Sequence, residues 1–298
     1  MTSETNEDVS PTVSALPPDS ALGPVELIVT DLDRTLGFYT DVLGLEVHGR
    51  APGLAALGTG AEDVLVFREL RDARPQAEHA GIYHVALLYP SRLELARVAT
   101  RIGSSGTPVS GLSDHGTHEA IYLPDPDGIG LELAADRARG EWPDPFFSAG
   151  PSPLDTRGLL AMTHGEKTPA VASEVRVGHV HLHVADAAAA MRFYRDVIGL
   201  AETADMLPQA GFTAFGDYHH HVAFNTWRGA GLPPAPADAV GMHHFTLELP
   251  DQAELDRLEA RILAAGLEIE ADQRGRIVRD PSGNALLIES SDGAPETG

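Results

Sequence analysis

Residues 25–45 read VELIVTDLDRTLGFYTDVLGL, and residues 180–200 read VHLHVADAAAAMRFYRDVIGL. The two segments lie 155 positions apart and share ten identical residues, including a central Phe-Tyr pair and the closing Gly-Leu. Alternating apolar residues over 25–29 predict a strand, and apolar residues three or four positions apart over 32–43 predict a helix that ends at Gly44. A strand followed by a helix therefore occurs twice, and the chain contains an internal repeat.

The repeat continues through both halves of the chain. The same shift of 155 aligns the turn sequence DPDG at 125–128 with DPSG at 280–283, and a shift of 160 aligns His84 with His244. Each half is predicted to contain the order strand, helix and several strands twice over. The sequence thus predicts an α+β protein built from four βαβββ units.

The domain boundaries follow from the extent of the repeat. We expect a first domain over residues 21–137 and a second over residues 176–291. Residues 138–175 are rich in Pro and Gly and are predicted to form a linker, packed through its aromatic side chains. The polar ends, residues 1–20 and 292–298, are predicted to be disordered tails.

Composition excludes several classes of function. The net charge is -23, so nucleic acid and an anionic membrane surface would both be repelled. The absence of cysteine excludes disulfides, thiolate metal sites and a cysteine nucleophile, so that any metal must be bound by nitrogen and oxygen. No basic, apolar leader and no membrane-spanning run is evident, and we therefore expect a cytoplasmic protein. Fourteen histidines are available as ligands or catalytic groups.

Three segments carry a resemblance to a known family. They are GHVHLHV at 178–184, the triple-histidine segment GDYHHH at 216–221 followed by Asn225-Thr226-Trp227, and the DPDG turn followed by Glu132. Together they resemble the vicinal oxygen chelate superfamily, and within it the two-copy catechol 2,3-dioxygenase group of extradiol enzymes. The resemblance implies that two units form each half-open barrel of mixed sheet, with a metal on the concave face.

The resemblance also implies a set of metal ligands, namely His84, Glu132 and His179. Glu132 lies among apolar residues, where an unpaired carboxylate would be costly, and a bound cation removes that cost. Two imidazoles and one carboxylate form the facial triad that leaves three positions open on Fe(II). A catecholate bound through two oxygens, together with O2, would fill those positions; Mn(II) accepts the same ligands.

Further residues take catalytic roles by the same resemblance. His220 is at the position of the acid/base histidine, Tyr122 is ten residues before the glutamate ligand, and His115 lies just ahead of that tyrosine. His181 and His183 share a strand face with His179, a pattern that equally fits a solvated face. We expect the neighbours of His220 in the triple-histidine segment, His219 and His221, to be supportive or exposed.

Two layouts of the metal site are open. In larger bacterial extradiol enzymes the third and fourth units form the site, which would here give His179, His244 and Glu289. The fourth unit, however, has Ile277 where Tyr122 aligns, and its glutamate is displaced by two residues. We therefore predict that units two and three share one barrel and the metal, and that units one and four form a second, non-catalytic barrel.

The predicted function is extradiol cleavage of a catechol by O2 at a non-haem Fe(II) site, as part of aromatic hydrocarbon catabolism. The expected partners are a small aromatic diol and O2, and no external reductant is needed. A glyoxalase-like metal-dependent isomerase and a non-enzymatic small-molecule-binding protein of the same fold are the alternatives. The ring substituents of the substrate and the oligomeric state, including a homo-oligomer, stay open.

Overall fold

The structure is a computed structural model that describes residues 15–75, 78–148, 150–166 and 174–293. The predicted disorder of residues 1–14 and 294–298 lies outside the described residues. Leu16, within the predicted N-terminal tail, is buried in the core, so the packed part of the chain begins before residue 21.

Each half of the chain contains two βαβββ units, as predicted. The elements of unit one are β1 (Ala21–Val29), α1 (Leu32–Gly37), β2 (Glu46–Ala51), β3 (Leu54–Thr59) and β4 (Glu62–Glu69). Those of unit two are β5 (Gly81–Tyr89), α2 (Arg92–Ser105), β6 (Gly111–Asp114), β7 (His118–Pro124) and β8 (Gly130–Asp136). The predicted linker contributes the short strand β9 (Ser152–Pro153) and the helix α3 (Thr156–Ala161).

The second half repeats this order. Unit three consists of β10 (Arg176–His183), α4 (Ala187–Met191), β11 (Ala201–Met206), β12 (Ala210–Ala214) and β13 (Val222–Asn225). Unit four consists of β14 (Gly241–Leu249), α5 (Gln252–Ala264), β15 (Glu270–Ala271), β16 (Arg276–Arg279) and β17 (Ala285–Ser290). The short helices α1 and α4 continue as π-helical turns over Phe38–Leu43 and Arg192–Ile198.

The repeated sequence motifs have a structural reason. Gly44 and Gly199 end the two π-helical turns at φ values of 83° and 93°, a region that favours glycine. The tyrosine of each Phe-Tyr pair is buried, and its hydroxyl donates to the aspartate of the Asp-Pro-x-Gly turn in the same half. The oxygen–oxygen distance is 3.4 Å for Tyr39 and Asp125. The two motifs therefore join consecutive units within each half.

The units pair across the two halves rather than within them. Among the described residues, an eight-stranded sheet has the order β15-β16-β17-β14-β1-β4-β3-β2, and a nine-stranded sheet has the order β11-β12-β13-β10-β5-β8-β7-β6-β9. Units one and four thus share one open mixed sheet, and units two and three share the other, in agreement with the sequence prediction. The central contacts are the antiparallel pairs β1 with β14 and β10 with β5.

One continuous core connects the sheets and the helices. Alternate residues of the central strands, such as Val85 and Leu87 of β5 and Val180 and Leu182 of β10, are buried in it. Since side chains alternate along a strand, the other face of the nine-stranded sheet carries the histidines. The core therefore fixes the positions of the strands that present these histidines.

Local differences from the sequence prediction are few. The sequence predicts a helix over residues 93–102 that ends at Gly103, but helix α2 continues to Ser105 and ends at Gly106, which has a φ of 75°. The sequence did not locate β2, at one sheet edge, or β6, which lies next to the short edge strand β9, because neither has a clear apolar alternation. Within the described chain, no helix is long and apolar enough to span a bilayer.

Candidate active site

Three neighbouring strands of the nine-stranded sheet bring together the predicted ligands. His179 lies on β10, His84 on the adjacent β5, and Glu132 on β8 at the other side of β5. All three side chains point to the face opposite the core, and their exposed fractions are only 2%, 6% and 1%, respectively. The chain therefore places two imidazoles and one carboxylate side by side in a site shielded from water.

The distances within this triad fit a common metal ion. Nε2 of His84 lies 3.2 Å from Nε2 of His179 and 3.0 Å from Oε2 of Glu132. Nε2 of His179 lies 3.1 Å from the same carboxylate oxygen. Two ligands at right angles around a metal, each with a bond of about 2.1 Å, are about 3.0 Å apart. The three donor atoms thus already have the spacing of one face of an octahedron, and the residues fit a metal of the facial-triad type.

The electrostatics of the triad favour the metal-binding protonation states. Burial alone would raise the pKa of Glu132, but the surrounding imidazoles, led by His179, hold that pKa well below its usual range. Burial lowers the pKa of His179, although the nearby Glu132 carboxylate opposes this shift. A carboxylate and neutral imidazoles are the forms that bind metal ions.

His118 is a neighbour of the triad for which the sequence predicted no role. It lies on β7, and its Nε2 donates to Oε1 of Glu132 at 3.0 Å, while Nδ1 lies 2.8 Å from the Thr117 hydroxyl. The even spacing of His118 and Tyr122 along β7 puts both on the same face, a signal that was available in the sequence. His118 therefore orients Glu132, the predicted carboxylate ligand.

Tyr122 and His115 form a pair at the edge of the triad. The Tyr122 hydroxyl lies 2.9 Å from Nε2 of His115. Burial and the nearby Glu132 carboxylate raise the pKa of Tyr122, so its hydroxyl keeps its proton. Burial, aided by the neighbouring His118, lowers the pKa of His115 to about 4 and keeps the ring neutral. The pair thus presents a hydroxyl and a neutral imidazole to the site.

His220 lies on the other side of the triad, in the loop before β13. Its ring centroid is 4.1 Å from that of His179, and its Nδ1 is 2.7 Å from Nδ1 of His219. His219 is buried and reaches Asp136 through Nε2 at 3.4 Å. His221 points away from the triad and stacks on Phe215. His220 and His219 are therefore part of the site, whereas His221 is not.

The two remaining histidines of β10 are not solvated. His181 and His183 are both buried, with exposed fractions of 4%. The amide of Asn225 on β13 connects them, since its nitrogen lies 2.8 Å from Nε2 of His181 and its oxygen lies 3.0 Å from Nδ1 of His183. Asn225, a residue that the sequence analysis did not single out for a role, thus fixes both rings beside the site.

The triad opens into a cavity of about 460 Å³. Its floor is formed by the triad, Tyr122, His115, His118 and His220. Large apolar side chains form the walls, namely Phe147, Met206, Phe212 and Trp227, with Tyr83 beside the triad. Phe147 belongs to the segment that was predicted as a linker, and its ring centroid is 4.7 Å from that of Phe212. The linker segment therefore contributes to the wall of the site.

The equivalent face of the eight-stranded sheet has different chemistry. Leu287 stands where Glu132 aligns, and both it and Ile277 are buried there. His244 accepts a hydrogen bond through Nε2 from the Arg274 guanidinium at 2.7 Å, and Arg274 is also 4.0 Å from Glu289. The positively charged Arg274 guanidinium thus lies between the His244 imidazole and the Glu289 carboxylate. The layout with His179, His244 and Glu289 is not assembled, because these residues belong to different sheets.

Solved structures show where this fold occurs. Glyoxalase I from Zea mays superposes with a TM-score of 0.60 at 17% identity, covering 92% of this chain and 94% of the maize chain. A candidate dioxygenase from Bacillus subtilis superposes with a TM-score of 0.65 at 15% identity, covering 92% of this chain and 86% of that chain. At these identities, the likeness establishes the fold alone.

Sequence comparison establishes the family. A catechol-2,3-dioxygenase from Bacillus subtilis (strain 168) is 34% identical over 276 residues, covering 90% of this chain and 96% of the relative. The family model of the Glyoxalase/Bleomycin resistance protein/Dioxygenase superfamily matches residues 21–133 and 176–288, one match in each half of the repeat. The chain therefore belongs to the Glyoxalase/Bleomycin resistance protein/Dioxygenase superfamily, as the motifs had indicated.

Proposed function

We propose that this protein is an extradiol ring-cleaving dioxygenase, which cleaves a catechol with O2 at a non-haem Fe(II) site. The observation that carries the proposal is the triad of His84, Glu132 and His179, whose donor atoms lie 3.0–3.2 Å apart at the floor of a cavity. The similarity to a catechol-2,3-dioxygenase over most of the chain supports the same reaction.

The ligand set suits this chemistry. When bound, Fe(II) would act as a Lewis acid toward two neighbouring catechol oxygens and as a source of electrons for O2. His84, Glu132 and His179 would hold the ion from one side, and the cavity lies on the other side of the triad. Mn(II) fits the same donor atoms, and the proposal therefore includes it as the second choice of metal.

His220 and Tyr122 would act on the protons and oxygens of the substrate. His220 lines the cavity beside His179, so its ring would be within reach of a hydroxyl of a catechol bound at the triad. Burial, together with His179, holds the pKa of His220 well below its usual range, so a neutral imidazole is available as the general base. The Tyr122 hydroxyl, held by His115, would donate to a substrate oxygen.

The cavity walls suggest which catechols fit. A benzene ring needs a cavity of about 150 Å³, so the volume of about 460 Å³ leaves room for a ring substituent. Phe147, Met206, Phe212 and Trp227 surround that space, and the residues lining it in the described chain include no Lys or Arg. An apolar substituent would be stabilised by burial, whereas a carboxylate would lose its hydration without a partner.

The isomerase alternative predicts a different preference for metal and substrate. Protein prepared without oxygen and loaded in turn with Fe(II), Mn(II), Ni(II) and Zn(II) would be assayed with a panel of catechols and with a hemithioacetal. The proposal predicts catechol-dependent O2 uptake with Fe(II) or Mn(II) only. Turnover of the hemithioacetal with Ni(II) or Zn(II), without catechol cleavage, would favour the isomerase, and no turnover of either would favour a binding protein.

A further inference from the structure

Three side chains in a hydrogen-bonded series connect the cavity to the rim of the site. Asp136, the last residue of β8, lies with Oδ1 3.4 Å from Nε2 of His219. Nδ1 of His219 lies 2.7 Å from Nδ1 of His220, and the ring of His220 lines the cavity. The carboxylate comes from the first half of the chain and both imidazoles from the second, so the arrangement exists only because units two and three share a sheet.

These contacts specify where each proton lies. A carboxylate can only accept, so Nε2 of His219 carries the proton that it donates to Asp136. In a neutral imidazole the other nitrogen is then an acceptor, and Nδ1 of His219 must receive a proton from Nδ1 of His220. His220 is therefore left with a lone pair on Nε2. Within the described chain, Nε2 of His220 has no hydrogen-bond partner.

The intermediate ring, His219, is held rigidly. It is 1% exposed and stacks on His118 with a centroid distance of 4.7 Å and an angle of 17° between the rings. Tyr218 lies against it with a ring centroid distance of 4.1 Å. The Tyr218 hydroxyl also donates to Oδ2 of Asp136 at 3.0 Å, which holds the carboxylate in place. In the opposite tautomer of His219, Nδ1 would carry the proton and donate it to Nδ1 of His220. Nε2 of His219 would then have no proton to donate to Asp136.

We propose that Asp136 and His219 are positioning residues, which hold His220 in the tautomer with its proton on Nδ1 and its lone pair on Nε2. This inference rests on the proposed function of His220 as the base that accepts a catechol proton. Neither Asp136 nor His219 is among the residues that line the cavity. They set the orientation and the tautomer of the ring that does, as a buried carboxylate does for a catalytic histidine elsewhere.

Two variants break this hydrogen-bonded series at different points. His219→Phe keeps the stacked ring but removes both nitrogens, and Asp136→Leu removes the acceptor. Each should lower kcat about tenfold or more, with the iron content and the KM for catechol nearly unchanged, because a misplaced base slows proton transfer rather than binding. Asp136→Glu should recover part of the loss, since it restores a carboxylate.

His221→Phe is the matched control. It replaces the third histidine of the same segment, which points away from the triad and stacks on Phe215, while the contacts from Asp136 to His219 and on to His220 remain. The kcat of this variant should stay close to that of the wild type. If His219→Phe and Asp136→Leu also stay close to the wild type, or if they lose iron in proportion to activity, the positioning role is wrong.

The tautomer itself can be observed without turnover. In zinc-loaded protein labelled with ¹⁵N-histidine, the ring nitrogen shifts of His220, assigned with His220→Phe, should show a protonated Nδ1 and an unprotonated Nε2. His219→Phe should shift His220 towards a mixture of tautomers. A proton on Nε2 of His220 in the wild type would overturn the inference, even if the protein cleaves catechols. If the wild type cleaves no catechol, the proposed function fails, and the spectrum still decides the tautomer.

Discussion

His118 donates from Nε2 to Oε1 of Glu132, the carboxylate oxygen that the triad histidines His84 and His179 leave free. The two oxygens of one carboxylate thus have separate roles, since Oε2 faces the donor atoms of the triad and Oε1 is fixed by a neighbouring strand. As a predicted metal ligand, Glu132 would then be presented to the ion through Oε2 alone. His118 holds the carboxylate in this orientation through Oε1.

Loss of this hydrogen bond should weaken metal binding. We expect His118→Phe to reduce the affinity for Fe(II) or Zn(II) by about 10- to 100-fold, the usual effect of removing a partner of a metal ligand. Thr117→Val, which removes only the contact to Nδ1 of His118, should have a smaller effect, and the exposed His48→Gln none. Competition with a chelator measures the affinity; equal affinities for His118→Phe and the wild type would contradict the proposed role.

Loss of the two proposed catalytic groups, His220 and Tyr122, should lower kcat by different amounts. His220→Phe should keep iron and bind catechol but lower kcat on the order of 10²-fold or more, because it removes the proposed acid/base group. Tyr122→Phe should cost less, since it removes one hydrogen bond to the substrate. Single-turnover rates with iron-loaded protein would measure both effects. Wild-type turnover by His220→Phe would shift the search for the base to His115 or His183.

Substrate preference should follow the apolar walls of the cavity. We expect kcat/KM to be higher for a catechol with an alkyl or aryl substituent than for one with a carboxylate, because burial favours the former. Met206→Arg, at the half-exposed wall of the cavity, should move this ratio towards the carboxylated substrate. A preference of the wild type for carboxylated catechols would contradict the assignment of the walls.

His244 should make folding stability depend on pH. Burial, aided by Arg274, lowers its pKa to about 4, although Glu26 opposes the shift. The unfolded histidine titrates near 6.5, so between those two values the unfolded chain binds a proton that the folded chain does not. The contribution of His244 to the unfolding free energy therefore decreases as the pH is lowered from 6.5 to 4, by at most about 1.4 kcal/mol per pH unit. When metal-free protein is unfolded with urea at pH 7 and pH 5, His244→Phe should lose less unfolding free energy between the two pH values than the wild type does. Equal losses would contradict the proposed contribution of His244.

The order of the elements could be predicted because its determinants are local or repeated, whereas the pairing of the units was inferred from which units keep the candidate ligands. The Phe-Tyr pair, the Asp-Pro-x-Gly turn and the glycines at 44 and 199 occur in both halves and act in the same way in each. The prediction that α2 ends at Gly103 was wrong, because an exposed glycine inside a helix costs only about 1 kcal/mol and the residue that ends this helix is Gly106, which has a φ of 75°.

The site was only partly predictable, since several of its contacts join residues far apart in sequence. Asp136 meets His219 across 83 positions, and Asn225 meets His181 across 44. The pairing of β10 with β5 creates the first contact, and no motif in either half contains both residues. Alternation along β10 indicated one common face for its histidines but not whether that face is solvated or covered.

The most direct measurement compares two variants for iron content and for O2 uptake with catechol. Glu132→Ala should lose both iron and the coloured extradiol product, while the folded core stays intact. His244→Ala combined with Glu289→Ala should keep the iron of the wild type and consume one O2 per catechol without a reductant. Retention of iron and cleavage by Glu132→Ala, together with their loss in the double variant, would contradict the assignment of the active site to units two and three.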